Sequence, residues 1–152
     1  MIQRIQSIWL LLATITISIL LFVPMVTTTV GSTEYQVLAT GLYQQTAGVT
    51  TKMEAFLPLL ISTIAVALMC FFNIFNFRKR AIQKKIIIAN VVLIIGLSFW
   101  CSQYAKKIPG GLETANATVG MFLPIIAILF CMLAIRGINN DEKLLKSADR
   151  LR

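Results

Sequence analysis

The sequence predicts an all-α membrane protein: an antiparallel bundle of four transmembrane helices with a partly ordered first loop outside the membrane and a short amphipathic C-terminal helix. The 152 residues are 57% hydrophobic and 13% charged, with a mean hydropathy of +0.81, whereas soluble domains are about a quarter charged. The charges cluster at the ends of four long apolar runs. Each run approaches or exceeds the roughly 20 residues that a helix needs to cross the hydrocarbon core.

The first apolar run covers residues 8–26 and follows a short polar start that contains Arg4. We predict a spanning helix rather than a signal peptide, because the run is longer than a typical signal-peptide core and no small-x-small cleavage site follows Pro24. Trp9 occupies a position typical of an interfacial aromatic residue. Pro24 marks the far end of this helix, where a lost backbone donor is least costly.

Residues 27–54 form the longest water-facing stretch, with three glycines, many threonines and three charges. Residues 35–43 are rich in β-forming side chains around a glycine. Two short strands and a structured loop without strands are equally compatible with this pattern. The stretch exceeds the usual length of a connection, so we predict partial order, packed over the outer end of the bundle.

The second run, residues 55–77, carries Pro58 in its first turn, where a missing N–H is tolerated. Its last turns contain Asn73 and Asn76, which are three residues apart and so share a helical face. Amides in lipid need hydrogen-bond partners. We therefore predict that Asn73, Asn76 and, in the third run, Asn90 provide polar packing inside the membrane; a polar site near the inner surface is the alternative.

A basic stretch, residues 78–85, separates the second and third runs. It holds five of the fourteen basic residues and no acid, namely Arg78, Lys79, Arg80, Lys84 and Lys85. A charged segment between two apolar runs predicts a short loop at the membrane surface. Because eight residues cannot reach far, the second and third helices are predicted to be antiparallel neighbours.

The third run covers residues 86–104, in which Gly96 and Ser98 permit close approach of another helix. Residues 105–117 return to the outer side through a Pro-Gly-Gly turn. The fourth run covers residues 118–135 and has Pro124 in its early turns.

The tail, residues 137–152, is hydrophilic but contains regularly spaced apolar residues. Leu144, Leu145, Ala148 and Leu151 recur at helical spacing. Glu142 and Lys146 form a favourable i,i+4 pair. We predict a short amphipathic helix at the membrane surface, with a mixture of charges that suits a protein groove better than bare lipid.

The distribution of lysine and arginine predicts the orientation. If the basic stretch is cytoplasmic, eleven basic residues lie on the inner side and three on the outer side. The inner ones are Arg4, the five of the basic stretch, Arg136, Lys143, Lys146, Arg150 and Arg152; the outer ones are Lys52, Lys106 and Lys107. Such an excess on short loops is typical of the cytoplasmic side. Four spans then place both termini in the cytoplasm.

Both ends of the chain carry a resemblance to a known family. Residues 1–6 read Met-Ile-Gln-Arg-Ile-Gln ahead of an apolar helix, and residues 141–152 read Asp-Glu-Lys-Leu-Leu-Lys-Ser-Ala-Asp-Arg-Leu-Arg. Over essentially the whole chain this resembles an uncharacterised four-helix membrane family, a domain of unknown function found mainly in Bacteroidota. The resemblance implies a bacterial inner membrane with the outer loops in the periplasm, and it implies no catalytic residue.

The residue types that carry catalysis are sparse. The chain has no histidine, its six acids lie outside the predicted spans, and its three cysteines lie inside them without a Cys-x-x-Cys motif. Buried thiols are usually inert, although Cys70 and Cys131 are predicted at similar depth, where a contact is possible. We therefore expect no enzyme, no metal or other cofactor and no nucleic-acid partner.

The remaining prediction is a non-catalytic accessory or structural subunit of a larger inner-membrane assembly. It would bind a membrane-protein partner through its cytoplasmic face, its long outer loop, or both. A small transporter or lipid-binding protein is the alternative. The candidate partner- or lipid-binding residues are Arg4, Arg78, Lys79, Arg80, Lys84, Lys85, Leu144, Leu145, Arg150, Leu151 and Arg152. Anionic lipid headgroups suit the basic ones, at about 1 kcal/mol for each Lys or Arg near the surface.

Overall fold

A computed structural model describes residues 3–46, 48–111 and 113–149. Within these residues the chain forms four α-helices and five β-strands. In chain order they are α1 (Gln3–Ile19), β1 (Val26–Val30), β2 (Thr33–Leu38), β3 (Gly41–Thr46), β4 (Val49–Ala55), α2 (Leu57–Ile74), α3 (Arg80–Ala105), β5 (Asn116–Ala117) and α4 (Val119–Asp149).

The predicted all-α fold class is wrong, because the protein combines its helices with an antiparallel sheet. The strands lie in the order β4-β3-β2-β1-β5. Four of them come from the stretch predicted as a partly ordered loop. Its threonines, valines and tyrosines favour extended backbone, and short turns let successive strands pair.

The sheet is a meander of tight hairpins. The first hairpin pairs Val30 with Thr33, and the next pairs Leu38 with Gly41. Two residues connect each pair, which is the shortest common hairpin loop. Gly31 in the first connection has a φ of 66°, a conformation that glycine adopts without strain.

The helices pack as a ring below the sheet. Helix α1 contacts α2 and α4, and α3 also contacts α2 and α4. The buried side chains face the shared interior, where Leu10, Ile17, Ile87 and Ile94 are fully buried. Most of the remaining aliphatic and aromatic side chains of the helices are exposed on the outside of the ring.

Three helical segments are long and apolar enough to cross a membrane: Leu57–Ile74, Arg80–Ala105 and Val119–Leu144. The first predicted span, residues 8–26, is not a helix over its whole length, because α1 ends at Ile19. Its apolar part, Ile5–Ile19, is shorter than the three other apolar segments. The chain then turns through residues 20–23 ahead of Pro24.

The basic stretch is mostly helix, so its prediction as a loop is wrong. A 3-10 turn covers Phe75–Arg78, Lys79 has non-helical backbone angles, and α3 begins at Arg80. Residues 80–90 contain no glycine or proline that would break a helix. The connection between α2 and α3 is therefore shorter than predicted.

The prediction of a separate C-terminal helix is also wrong, because α4 continues without interruption from Val119 to Asp149. Its 31 residues span roughly 46 Å at 1.5 Å per residue. Gly137 does not end the helix. A β-carbon there would lie 3.2 Å from Cγ of Gln6, so this glycine allows α1 to pack closely against α4.

Gly120 provides a sharper test of this packing. A β-carbon at Gly120 would collide with the backbone carbonyls of Val23 and Pro24. We expect Gly120→Ala to destabilise the purified protein by roughly 1–3 kcal/mol, as overpacking does, and to lower its Tm in detergent.

Gly96→Ala is the matched control. Nothing in the described structure lies within 4 Å of a β-carbon at Gly96, so this variant should leave the Tm unchanged or raise it slightly. Equal Tm values for Gly120→Ala and the wild type would contradict the placement of the sheet against α4.

Candidate functional site

One edge of the sheet is formed by β4, whose seven residues are all exposed. Strand β3 pairs with one side of β4. The strand order leaves the other side unpaired within the described part of the chain. An unpaired strand edge offers backbone N–H and C=O groups to another extended segment.

The register shows which backbone groups are free. The hairpin between β3 and β4 closes on the pair Thr46↔Val49. A two-residue turn closes on a hydrogen-bonded pair, and hydrogen-bonded and non-hydrogen-bonded pairs alternate along an antiparallel ladder. The backbone N–H and C=O groups of Thr50 and Lys52 therefore point away from β3.

A bulge interrupts the second half of this edge. The register moves from Leu42↔Glu54 to Tyr43↔Lys52, so Met53 is the extra residue on β4. A bulge twists the strand locally, and a lysine on an edge discourages indiscriminate pairing. The regular part of the free edge is thus its first half.

An aromatic cluster anchors the end of β4 to the end of α3. The rings of Phe56 and Tyr104 lie 4.3 Å apart, and Phe56 is almost fully buried. Nζ of Lys107 lies above both rings, 5.5 and 5.2 Å from their centroids, and 2.6 Å from Oε1 of Glu54. The ion pair is half-exposed, so the buried ring contributes more than the pair to holding the edge strand in place.

A hollow of about 430 Å³ lies beside this edge. The last turn after α1 and strands β2 to β4 form its walls, which include Phe22, Leu38, Tyr43 and Thr50. Phe22 is 79% exposed. The hollow places apolar side chains next to the free backbone groups of Thr50.

The opposite end of the molecule contains a second feature, which we call the inner polar layer. It consists of polar side chains that are each at least 95% buried: Gln6, Asn73, Gln83 and Asp141. Each of the four helices contributes one of them. Buried polar groups of this kind normally have hydrogen-bond partners.

Asn73 and Gln83 bond each other's backbone. Nδ2 of Asn73 donates to the carbonyl of Gln83, and Nε2 of Gln83 donates to the carbonyl of Asn73, both at 3.3 Å. These bonds tie α2 to α3 across the 3-10 turn. Oδ1 of Asn73 and Oε1 of Gln83 have no hydrogen-bond partner among the described residues.

Asp141 links α4 to α1. Nε2 of Gln6 donates to Oδ2 of Asp141, while Oδ1 of Asp141 has no partner. Lys84 links α3 to α4 nearby, since its Nζ lies 2.9 Å from both Oε2 of Glu142 and Oδ1 of Asn139. The two ion pairs in the described residues, Lys84–Glu142 and Lys107–Glu54, do not include Asp141.

The predicted inner-surface residues differ in their surroundings. Lys79, Lys85 and Leu144 are exposed, Arg80 is half-buried, and Lys84 forms the bonds given above. The side chains of Arg4, Arg78 and Leu145 lie outside the described structure, as do residues Arg150, Leu151 and Arg152. Glu142, which was predicted to pair with Lys146, bonds Lys84.

The predicted intramembrane amides are not equivalent. Asn73 belongs to the inner polar layer, Asn76 is half-buried in the 3-10 turn, and Asn90 is fully buried with both amide atoms unpartnered. Sequence reasoning missed Gln83 and Asp141. The signal for Gln83 is its spacing, because it continues the buried stripe of α3 that includes Ile87, Asn90, Ile94 and Leu97.

The three cysteines are free and buried. The thiols of Cys70 and Cys131 lie close enough to interact, while their depth in a membrane stays a prediction. Among the described residues, no group of three or more His, Cys, Asp or Glu side chains is arranged to hold a metal ion.

Comparison with known proteins gives a family without an assigned activity. No curated protein matches the chain. The model of a family described as a domain of unknown function, DUF4293, matches residues 2–151. The protein therefore belongs to the DUF4293 family of uncharacterised proteins.

Proposed function

We propose that the protein is a non-catalytic accessory subunit of a membrane assembly, and that it binds an extended segment of a partner protein along the free edge of β4. The observation that carries this proposal is the edge itself, which is seven residues long, exposed at every residue and unpaired on one side within the described chain. Strand addition at such an edge is a common mode of peptide recognition.

Membrane anchoring is supported by the outer surface of the helix ring. Ile61, Val92 and Phe99 are each more than 60% exposed, and three helices have the length and hydropathy of spans. Lipid solvates such a surface, whereas water would drive it to aggregate. In this proposal α1 is a fourth span, completed by the turn residues that follow it.

The orientation follows from the two ends of the molecule. Arg80, Lys85 and Arg136 belong to the end opposite the sheet, while Lys52 and Lys107 belong to the sheet end. The overall ratio of eleven basic residues to three supports a cytoplasmic location for the basic end. The sheet then faces the periplasm of a double-membraned bacterium, and both termini are cytoplasmic.

The outer edge is a better candidate for protein recognition than the cytoplasmic face. Three charged residues of the cytoplasmic face form bonds within the protein itself, namely Lys84, Glu142 and Asp141. They are therefore less available to a partner protein than their sequence positions indicate. Lys79 and Lys85 stay exposed and suit anionic lipid headgroups.

The partner segment should be extended and carry one apolar side chain for the hollow. Thr50 and Lys52 offer outward backbone groups in the first half of β4, and the adjacent hollow can take one apolar side chain of the added strand. The bulge at Met53 and the charge of Lys52 discourage pairing between two copies of β4.

A role in binding lipid is the second candidate. A cavity of about 240 Å³ opens between α3 and α4, lined by Cys101, Ser102, Phe122 and Pro124 among others. Its apolar walls and its position between two apolar helices suit part of an acyl chain.

The orientation is testable by thiol labelling. We expect Val49→Cys on β4 to react with a membrane-impermeant maleimide in intact spheroplasts, because Val49 is exposed at the proposed outer end. Lys85→Cys should react only after permeabilisation. The three native cysteines are buried, so the protein without an added cysteine should not react with the maleimide. The reverse labelling pattern would contradict the orientation.

The binding edge is testable by site-specific photocrosslinking. A photoreactive amino acid at Val49 should form an adduct with one discrete protein in native membranes. Thr50→Pro removes one outward N–H, and edge strands tolerate proline, so this variant should reduce the adduct at least about tenfold.

Two controls sharpen that experiment. Thr50→Ala keeps the backbone N–H and should keep the adduct, and Leu144→Gln at the other end of the molecule should have no effect. An adduct that persists in Thr50→Pro, or that disappears in Leu144→Gln, would reject the edge as the binding site.

A further inference from the structure

The inner polar layer has more acceptors than donors. Within the described part of the chain, Oδ1 of Asn73, Oε1 of Gln83 and Oδ1 of Asp141 have no hydrogen-bond partner, although their side chains are 1%, 0% and 5% exposed. Buried unpartnered polar atoms are uncommon in native proteins. All three of these atoms are oxygens, so whatever completes the layer carries positive charge or donates hydrogen bonds.

The amide orientations are fixed by their partners. The side-chain nitrogens of Asn73 and Gln83 both donate to backbone carbonyls. Exchanging nitrogen and oxygen in either amide would place two acceptors together. The two unpartnered oxygens are therefore a property of the fold.

The contacts of neighbouring residues indicate that the three side chains belong to the same end of the helix ring. Gln83 precedes Lys84, Asp141 precedes Glu142, and the Lys84–Glu142 ion pair fixes these two points of α3 and α4 side by side. Asn73 bonds Gln83 directly. Because all three side chains are buried, they face the interior that the four helices share.

No cationic side chain of the described residues forms an ion pair with Asp141. Nζ of Lys84 is engaged by Glu142 and Asn139 at 2.9 Å, and the partner of Asp141 is the neutral amide of Gln6. A buried carboxylate is strongly disfavoured unless positive charge compensates it. One buried carboxylate with neutral amide oxygens provides a single negative charge.

We infer that the inner polar layer binds one monovalent metal cation, held by the carboxylate of Asp141 and the amide oxygens of Asn73 and Gln83. Hard cations prefer carboxylate and amide oxygens as ligands, and a single negative charge matches a single positive charge. Water completes the coordination. The bound cation fixes the inner part of α4 to α2 and α3, an effect that does not depend on the proposed binding edge.

The test is thermal unfolding of the full chain, purified in detergent at neutral pH, in NaCl, KCl or choline chloride of equal ionic strength. A ligand that binds only the folded state raises the Tm with the logarithm of its concentration. We expect Na⁺ or K⁺ to raise the Tm by several degrees relative to choline. Equal Tm values in all three salts would overturn the proposal, because water or a proton then satisfies the layer.

Asp141→Asn is the decisive variant, since it removes the charge and keeps the shape. It should abolish the cation dependence, while its Tm in choline equals or exceeds that of the wild type. Asn90→Leu is the matched control, because Asn90 is an equally buried, unpartnered amide that lies about 10 Å along α3 from Gln83. It should keep the full cation dependence.

If Asp141→Asn does not fold, Gln83→Met becomes the decisive variant. This change removes one proposed ligand oxygen at nearly constant volume, and it should shift the cation concentration needed for half of the Tm increase upward by at least about tenfold. An unchanged concentration dependence in this variant, or a retained dependence in Asp141→Asn, would overturn the site.

Discussion

The arrangement of the molecule depends on the contact between Pro24 and the start of α4. The carbonyl of Pro24 accepts hydrogen bonds from the hydroxyl of Thr118 and from the backbone N–H of Gly120, the latter at 3.2 Å. Beside it, the N–H of Thr118 donates to the carbonyl of Met25 at 3.1 Å, and the N–H of Met25 donates to Val37 at 2.7 Å. The chain between α1 and β1 is thereby bonded to α4 and β2.

This contact gives the sheet a fixed position on the helices. Strand β5 extends it, because Ala117 pairs with Val26 of β1. On the other side of the sheet, Phe56 and Tyr104 fasten β4 to α3. Backbone hydrogen bonds and the Phe56–Tyr104 pair thus join the sheet to the helices. Strand β4, which carries the free edge, continues directly into α2. A rigid edge loses less entropy on binding than a mobile loop.

The inner end is joined in a different way. There the helices meet through side chains, with Gln6 on Asp141, Lys84 on Glu142, and Asn73 against Gln83. Backbone pairing at the sheet end satisfies the donors and acceptors of the inner strands and leaves only edge groups, such as those of Thr50 and Lys52, without a strand partner in the described chain. Side-chain pairing leaves unmatched oxygens, and those oxygens motivate the cation site. The two ends therefore divide the roles, with recognition proposed at one and stabilisation of α4 at the other.

Hydropathy was sufficient to predict the three long apolar helices, because each buries few residues and exposes many to its surroundings. It could not decide the outer stretch, where β4 is exposed along its whole length and shows no alternation of buried and exposed residues. Pairing with β3 makes it a strand, and pairing is a non-local property. The tail was misjudged for a similar reason. Gly137 resembles a helix end in sequence, yet α4 continues through it, and the missing side chain makes room for Gln6 of α1.

The buried polar residues illustrate the same limit. Asp141 stands in a run of charges that indicates a surface, and only the packing of α1 against α4 buries it. Gln83 follows a row of basic residues, although its spacing from Ile87 and Asn90 places it on the buried stripe. The free edge, the hollow beside it and the inner polar layer all required the three-dimensional structure.

Amide hydrogen exchange of the full chain in lipid nanodiscs tests most directly whether the outer stretch is a folded sheet with a free edge. Peptides that cover β1 to β3 should exchange slowly, because both sides of β2 and β3 are paired. In β4 the exchange should split, with Thr50 and Lys52 exchanging faster than Thr51, whose N–H faces β3. Rapid, uniform exchange throughout residues 26–55 would indicate an unstructured loop and contradict the account.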